Sequence, residues 1–142
     1  MGTLGWYLDA SVIVALFRPE PFSDRADRFI RDHATVVASD FTVAETASAV
    51  ARWVRLREMT IDQARIVLTS LDAWLSRSAQ QVEVTSADIA AATAFLRRLD
   101  LPLRTPDAIH IAATQRLGAT LVTFDRQMAA NARALNATVE EP

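Results

Sequence analysis

Four acids spread along the chain, Asp9, Glu45, Asp107 and Asp125, are the residues best suited to chemistry. Asp9 ends the apolar run Tyr7-Leu8 and Asp125 ends Leu121-Val122-Thr123-Phe124, places where an unpaired buried carboxylate is costly. Like charges held together raise one another's pKa and destabilise a fold unless a cation sits among them. An all-carboxylate donor set suits Mg²⁺ or Mn²⁺. Such an ion lowers the pKa of a bound water and stabilises the charge that grows on a phosphoryl group, so phosphodiester hydrolysis is the reaction that fits these donors. Ser11 and Thr123 flank the first and last acids and are of the type that orients a carboxylate or a metal-bound water by hydrogen bonding.

Whether the acids meet depends on the elements that carry them. Apolar runs of strand length alternate with helical periodicity, which predicts an α/β domain with a largely parallel sheet. Strands are expected over 6–9, 35–38, 81–84, 120–123 and 137–139, and helices over 11–17, 22–32, 42–57, from Thr60 onward, 86–99, 106–117 and 126–135. Thr60-Ile61-Asp62-Gln63 has capping-box spacing, and Gly118 stands where a left-handed cap would close the preceding helix. Asp9 and Asp125 then follow strands, and Glu45 sits in the first turns of the helix after the second strand. All three fall at the carboxyl edge of the sheet, where open α/β proteins place ligand sites. The helix bearing Asp107 must run back antiparallel to the fourth strand, so its amino end reaches the same edge.

Each acid alone also fits ordinary helix-end chemistry. Asp9 and Asp125 have the positions of N-caps, Thr105-Pro106-Asp107 has the pattern of a helix start, and Thr42-Val43-Ala44-Glu45 matches a capping box. Four independent caps need not converge, and their coincidence at one edge is what favours a site.

The bulk composition narrows the class. A chain of 142 residues, 51% hydrophobic, fits a single domain over 1–142 with a core that needs no staples. The absence of cysteine excludes disulfides, thiol catalysis and cysteine-ligated metals, and a cytoplasmic location is expected. Met1 to Trp6 lacks a basic patch followed by an apolar run, and no apolar stretch approaches the roughly 20 residues that span a bilayer, so neither export nor membrane insertion is expected. The net charge of −2 argues at first against a nucleic-acid partner. Setting aside the four candidate ligands leaves 13 of the 17 acids against 15 basic residues, a mildly cationic remainder. Every basic residue is arginine, which suits phosphate contact and also fits a bias of base composition.

These residues resemble the PIN-domain family and, within it, the VapC toxins of bacterial toxin–antitoxin pairs. Tyr7-Leu8-Asp9-Ala10-Ser11 looks like the opening strand with its D-x-S/T, and Ala44-Glu45 matches the helix acid. Pro106-Asp107-Ala108-Ile109-His110-Ile111-Ala112-Ala113 resembles the D-A-x-x-x-A-A segment, and Leu121-Val122-Thr123-Phe124-Asp125 the L-x-T-x-D. The resemblance implies a Rossmann-like αβα sandwich whose five parallel strands run in the order 3-2-1-4-5. It implies a Mg²⁺- or Mn²⁺-dependent endoribonuclease, usually homodimeric, held inactive by a cognate VapB antitoxin, with transfer RNA or ribosomal RNA loops as targets. Some relatives carry a further acid near the fourth, whereas Asp125 is followed by Arg126-Gln127-Met128-Ala129, so one firmly bound ion is expected.

Receiver domains and haloacid-dehalogenase-type phosphatases also place acids at this edge, but both rely on a lysine, and this chain has none. A non-catalytic PIN-like module that binds RNA or protein, or a housekeeping RNA-processing nuclease, are the alternatives. His110, almost one turn after Asp107, is expected to be packed and hydrogen-bonded, with contact to the site as the other reading. Asp88 reads as a first-turn acid behind Ser86, and Asp40 as a residue that could support the site. Ala49, Trp53 and Leu56, with Val67 and Trp74 on the next helix, form a second apolar group that would face either the helical hairpin itself or a dimer or antitoxin surface. Arg52, Arg55 and Arg57 could guide an RNA backbone.

Overall fold

In the computed structural model, which describes residues 5–142, five strands form one parallel sheet in the order 3-2-1-4-5. The strands are β1 (Trp6–Leu8), β2 (Val36–Ser39), β3 (Ala79–Val82), β4 (Thr120–Val122) and β5 (Val139–Glu140). Between them run α1 (Ala10–Phe17), α2 (Ser23–Asp32), α3 (Asp40–Arg55), α4 (Ile61–Ser78), α5 (Ser86–Leu96), α6 (Thr105–Arg116) and α7 (Arg126–Ala134). Trp6 pairs with Val36 on one side and with Thr120 on the other, so β1 and β4 are central neighbours.

Side chains alternate across a strand, and here both faces are covered. Leu8, Val36, Ala38 and Val122 point to one face and meet Val12, Ile13, Phe29, Leu71 and Leu75 from α1, α2 and α4. Tyr7, Val37 and Leu121 point to the other and meet Ile111, Met128 and Ala132 from α6 and α7. The central strands are short and mostly apolar for this reason. Among the described residues no helix is long and apolar enough to cross a membrane.

The expected helix and strand positions hold, with informative shifts. β3 starts two residues early, directly after α4, because it is an edge strand whose exposed Gln80 and Gln81 carry no apolar signal. β5 is likewise displaced, to Val139–Glu140. α3 starts at Asp40 with Ser39 as its N-cap, accepting from the Thr42 N–H, so the Thr42–Glu45 spacing is not a capping box. Arg104 is the cap of α6 in place of Thr105, and it makes no side-chain cap bond. The Thr60 capping box forms as expected. Gly118 closes α6 with φ 61°, but α5 ends at Leu96 because Leu99 takes the left-handed conformation, φ 65°, without being glycine. With three glycines in the chain, Arg57 and Asn136 close α3 and α7 in the same way.

Candidate active site

Asp9 is the first residue beyond β1 and caps α1, so its backbone is fixed by two elements at once. It is 5% exposed, and both carboxylate oxygens are held. The Ser11 hydroxyl donates to Oδ1 at 2.5 Å and the Thr123 hydroxyl donates to Oδ2 at 2.6 Å, with the Val12 N–H reaching Oδ1 at 3.4 Å. The same two hydroxyls tie down the fourth strand's exit: Ser11 Oγ accepts from the Phe124 N–H and Thr123 Oγ1 from the Asp125 N–H, each at 3.0 Å. Ser11 and Thr123 thus hold Asp9 and join the β1 and β4 ends. Burial pushes the Asp9 carboxyl above its ordinary pKa; the two hydroxyls, the charge of His110 and the Val12 N–H oppose the rise without cancelling it.

Asp125 follows β4 and caps α7 through the Met128 N–H at 3.0 Å. Asp107 lies in the first turn of α6 and is 8% exposed. Burial raises its pKa, Arg104 opposes, and the charges of Asp125 and Glu45 raise it further. The Arg104 guanidinium stands 3.9 Å away and is 78% exposed, a weak counter-charge. Glu45, on α3, and Asp125 both act on Asp107, while Asp9 is linked to the Asp125 backbone through Thr123. Among the described residues no three of these donors stand close enough together to chelate one ion as they are. The donor chemistry nevertheless fits a hard divalent cation: oxygen ligands only, two of them buried, and a local excess of negative charge with no strong cation against it.

His110 realises both readings of it. It is buried at 2% exposure, and its Nε2 is bonded to Glu45 Oε1. Its Nδ1 lies 2.7 Å from the Tyr7 hydroxyl, which in turn lies 2.7 Å from Ser39 Oγ. The ring thus bridges Glu45 through one nitrogen and the Tyr7 hydroxyl through the other. Burial holds the Tyr7 phenol up at about 12, so it stays a donor throughout the physiological range; bonds from Ser39 and Thr42 oppose the rise and the charges of Glu45 and Asp9 add to it. The sequence reading missed Tyr7. The available signal was a tyrosine within an apolar central strand, whose hydroxyl needs a partner once buried.

The remaining expectations separate cleanly. Asp40 accepts from the Phe41 N–H at 2.8 Å and the Val84 N–H at 2.9 Å, pinning the exit of β3 to α3. Asp88 accepts from the Thr85 N–H and bonds Arg116 twice, at 2.8 and 3.0 Å, so Thr85 rather than Ser86 is the cap it serves. Trp53 and Val67 pack within the α3–α4 hairpin with Val50 and Ala64, and Trp74 packs against the core of the first face, whereas Leu56 is 54% exposed. Arg52, Arg55 and Arg57 are exposed.

Residues 6–134 match the PIN domain family, and the chain belongs to it. It is 34% identical over 139 residues to Ribonuclease VapC46 of Mycobacterium tuberculosis, covering 96% of both chains. The crystal structure of VapC20 from the same organism, described as a Sarcin-Ricin loop cleaving toxin, has the same fold, with a TM-score of 0.72 at 20% identity over 89% of this chain and 94% of that one. VapBC2 from Rickettsia felis, bound to a DNA fragment from its promoter, aligns with a TM-score of 0.71 at 17% identity over 96% and 98%.

Proposed function

We propose that this chain, as one domain over 1–142, is a divalent-metal-dependent endoribonuclease and the toxin of a type II pair, restrained by a VapB-type antitoxin in the cytoplasm. The observation that carries the reading is the burial of Asp9 and Asp107, both held above their ordinary pKa, beside Glu45 and Asp125. A fold keeps such carboxylates when a cation offsets their crowding. The kinship with a chain named Ribonuclease VapC46 supports hydrolysis of RNA, and the VapBC2 complex supports a protein partner.

Asp9, Glu45, Asp107 and Asp125 would hold Mg²⁺ or Mn²⁺, and the absence of a further acid after Asp125 favours one firmly bound ion. When bound, the ion makes water a better nucleophile and stabilises charge on the phosphoryl group. The chain's own residues set the geometry. Ser11 and Thr123 hold the two oxygens of Asp9, and His110, itself bonded by Tyr7, holds Glu45, so both acids are oriented by neighbours within the fold. Arg104, exposed beside Asp107, would meet an RNA phosphate, and Arg52, Arg55 and Arg57, exposed at the far end of α3, would contact the RNA backbone away from the acids. A homodimer is proposed, with exposed Leu56 as part of an apolar contact, and a transfer or ribosomal RNA loop as substrate.

Purified protein should cleave RNA with added Mg²⁺ or Mn²⁺ and not in chelator, and Asp9→Asn should abolish cleavage while the thermal melt stays cooperative. Full activity in Asp9→Asn removes that residue from the mechanism. Expression without the antitoxin should arrest growth and co-expression should relieve it; harmless expression of an intact site points to the non-catalytic module or a housekeeping nuclease.

A further inference from the structure

A cavity of about 310 Å³ opens beside Asp125, lined also by Ser11, Val14, Glu20, Phe22 and Phe124. Its walls differ sharply in character from the site it adjoins. The Phe22 and Phe124 rings stack with centroids 4.6 Å apart and planes within 8°, and Phe22 is 37% exposed. Arg25 places its guanidinium 5.1 Å from the first ring and 5.3 Å from the second, and its Nε donates to the Pro142 carbonyl at 2.8 Å, which fixes the cation there. Core packing does not account for Phe22. Phe124 packs partly against the first-face core, whereas Phe22 lies outside it and presents a flat apolar surface at the mouth of a carboxylate site.

We infer that this cavity is a subsite for one unpaired nucleobase flanking the bond that is cut, which stacks on the Phe22–Phe124 pair. The inference rests on the ribonuclease reading above. A base is joined to its phosphate through one sugar, so when a phosphate reaches Asp125 and Ser11 an adjoining base must lie within a few ångströms of them. The wall at that distance is aromatic rather than basic. Every base has a π face, so the platform tolerates different bases, and Arg25 adds an attraction for both the ring system and the backbone. A base within a duplex has both faces covered by its neighbours, so the subsite selects single-stranded or looped RNA.

The test is a cycle of protein and substrate changes on a short single-stranded RNA whose cleavage point has been mapped with the parent protein. Replacing the base next to that point by an abasic residue should lower kcat/KM for the parent by roughly 5- to 150-fold, the usual range for one stacked base. The same replacement should cost Phe22→Ala and Phe22→Leu little, because both lack the ring; Phe22→Trp should keep the parent's sensitivity. With Asp9→Asn as background, 2-aminopurine at the flanking position should be quenched on binding, and Phe22→Leu should remove the quench. Equal sensitivity of Phe22→Ala and parent to every abasic position overturns the subsite while leaving the nuclease intact. A change in antitoxin inhibition with no such coupling assigns the cavity to the protein partner and also overturns it. Failure of the parent to bind or cleave RNA overturns the ribonuclease reading itself, and the subsite falls with it.

Discussion

Asp88 and Asp107 occupy the same helical position, the third residue of α5 and of α6, two helices packed on each other through Ala92, Ala108 and Ile109. Both side chains are nearly inaccessible, yet their surroundings are opposite. Asp88 sits in a reciprocal capping box with Thr85 and bonds Arg116 through both oxygens. Burial raises its pKa, but Arg116 and Thr85 outweigh burial and hold the carboxyl below its ordinary value. Asp107 follows Arg104, which offers no hydroxyl to cap, and faces Asp125 and Glu45. One acid is neutralised by the protein; the other keeps a raised pKa, with the exposed Arg104 too weak a counter-charge to reverse it. Burial of an acid is therefore not the mark of a site, and the balance of partners is.

The largest effect that tests this contrast is on catalysis. Asp107→Asn should lower the RNA cleavage rate by on the order of 10²–10³-fold, the scale seen when one preorganised electrostatic group is removed. Its melting temperature should hold or rise, because a carboxylate whose ionisation is opposed in the fold is replaced by a neutral amide. Asp88→Asn should do the reverse. It should cost about 2 kcal/mol of stability by breaking a mostly buried charge pair, or roughly 6–8 °C in Tm, and leave the cleavage rate per folded molecule unchanged. Loss of activity without loss of stability at Asp88 would erase the distinction.

The sequence carried much of this and lost the rest for identifiable reasons. Asp9 and Asp125 were legible because apolar strands end at them, and Ser11 and Thr123 because they stand two residues away on the same turns. The different fates of Asp88 and Asp107 were not, since the first depends on Arg116, which arrives from the end of α6 and is 28 residues away in sequence. Local patterns also misled at helix starts: Thr42 and Thr105 look like caps, but Ser39 and Arg104 are one to three residues nearer the strand or loop that sets the entry. The edge strands β3 and β5 shifted because only one of their sides meets a partner strand. The partnership of Tyr7 with His110 spans 103 residues and leaves no local trace.

That partnership gives a smaller prediction. His110→Ala removes the donor to Glu45 and should weaken divalent-ion affinity by about tenfold, in the range for lost supports of metal-binding side chains. His110→Gln, which can still donate to Glu45, should recover part of the loss, and Tyr7→Phe should fall between the two. Ion affinity read by calorimetry separates this from simple unfolding. If Ala and Gln variants bind the ion equally well, His110 is packing alone.

The same contrast sets the pH dependence of stability in the absence of divalent ions. Asp9 and Asp107 have folded pKa values above their unfolded ones, so between the two values the folded state binds more protons. Stability therefore falls as pH rises from about 4, the unfolded value, through the raised folded values, by at most about 1.4 kcal/mol per pH unit for each group. Asp88 acts with the opposite sign: its stabilisation is present above the unfolded value and is lost as pH falls below it through the lowered folded one. Chemical denaturation of ion-free protein across pH should show a decline as pH rises above about 4, flattened in Asp107→Asn and retained in Asp88→Asn. Saturating Mg²⁺ should restore stability at neutral pH, by about 2.7 kcal/mol at a hundred times its Kd. A decline that persists unchanged in Asp107→Asn would mean that this acid is as well neutralised by the protein as its counterpart on α5.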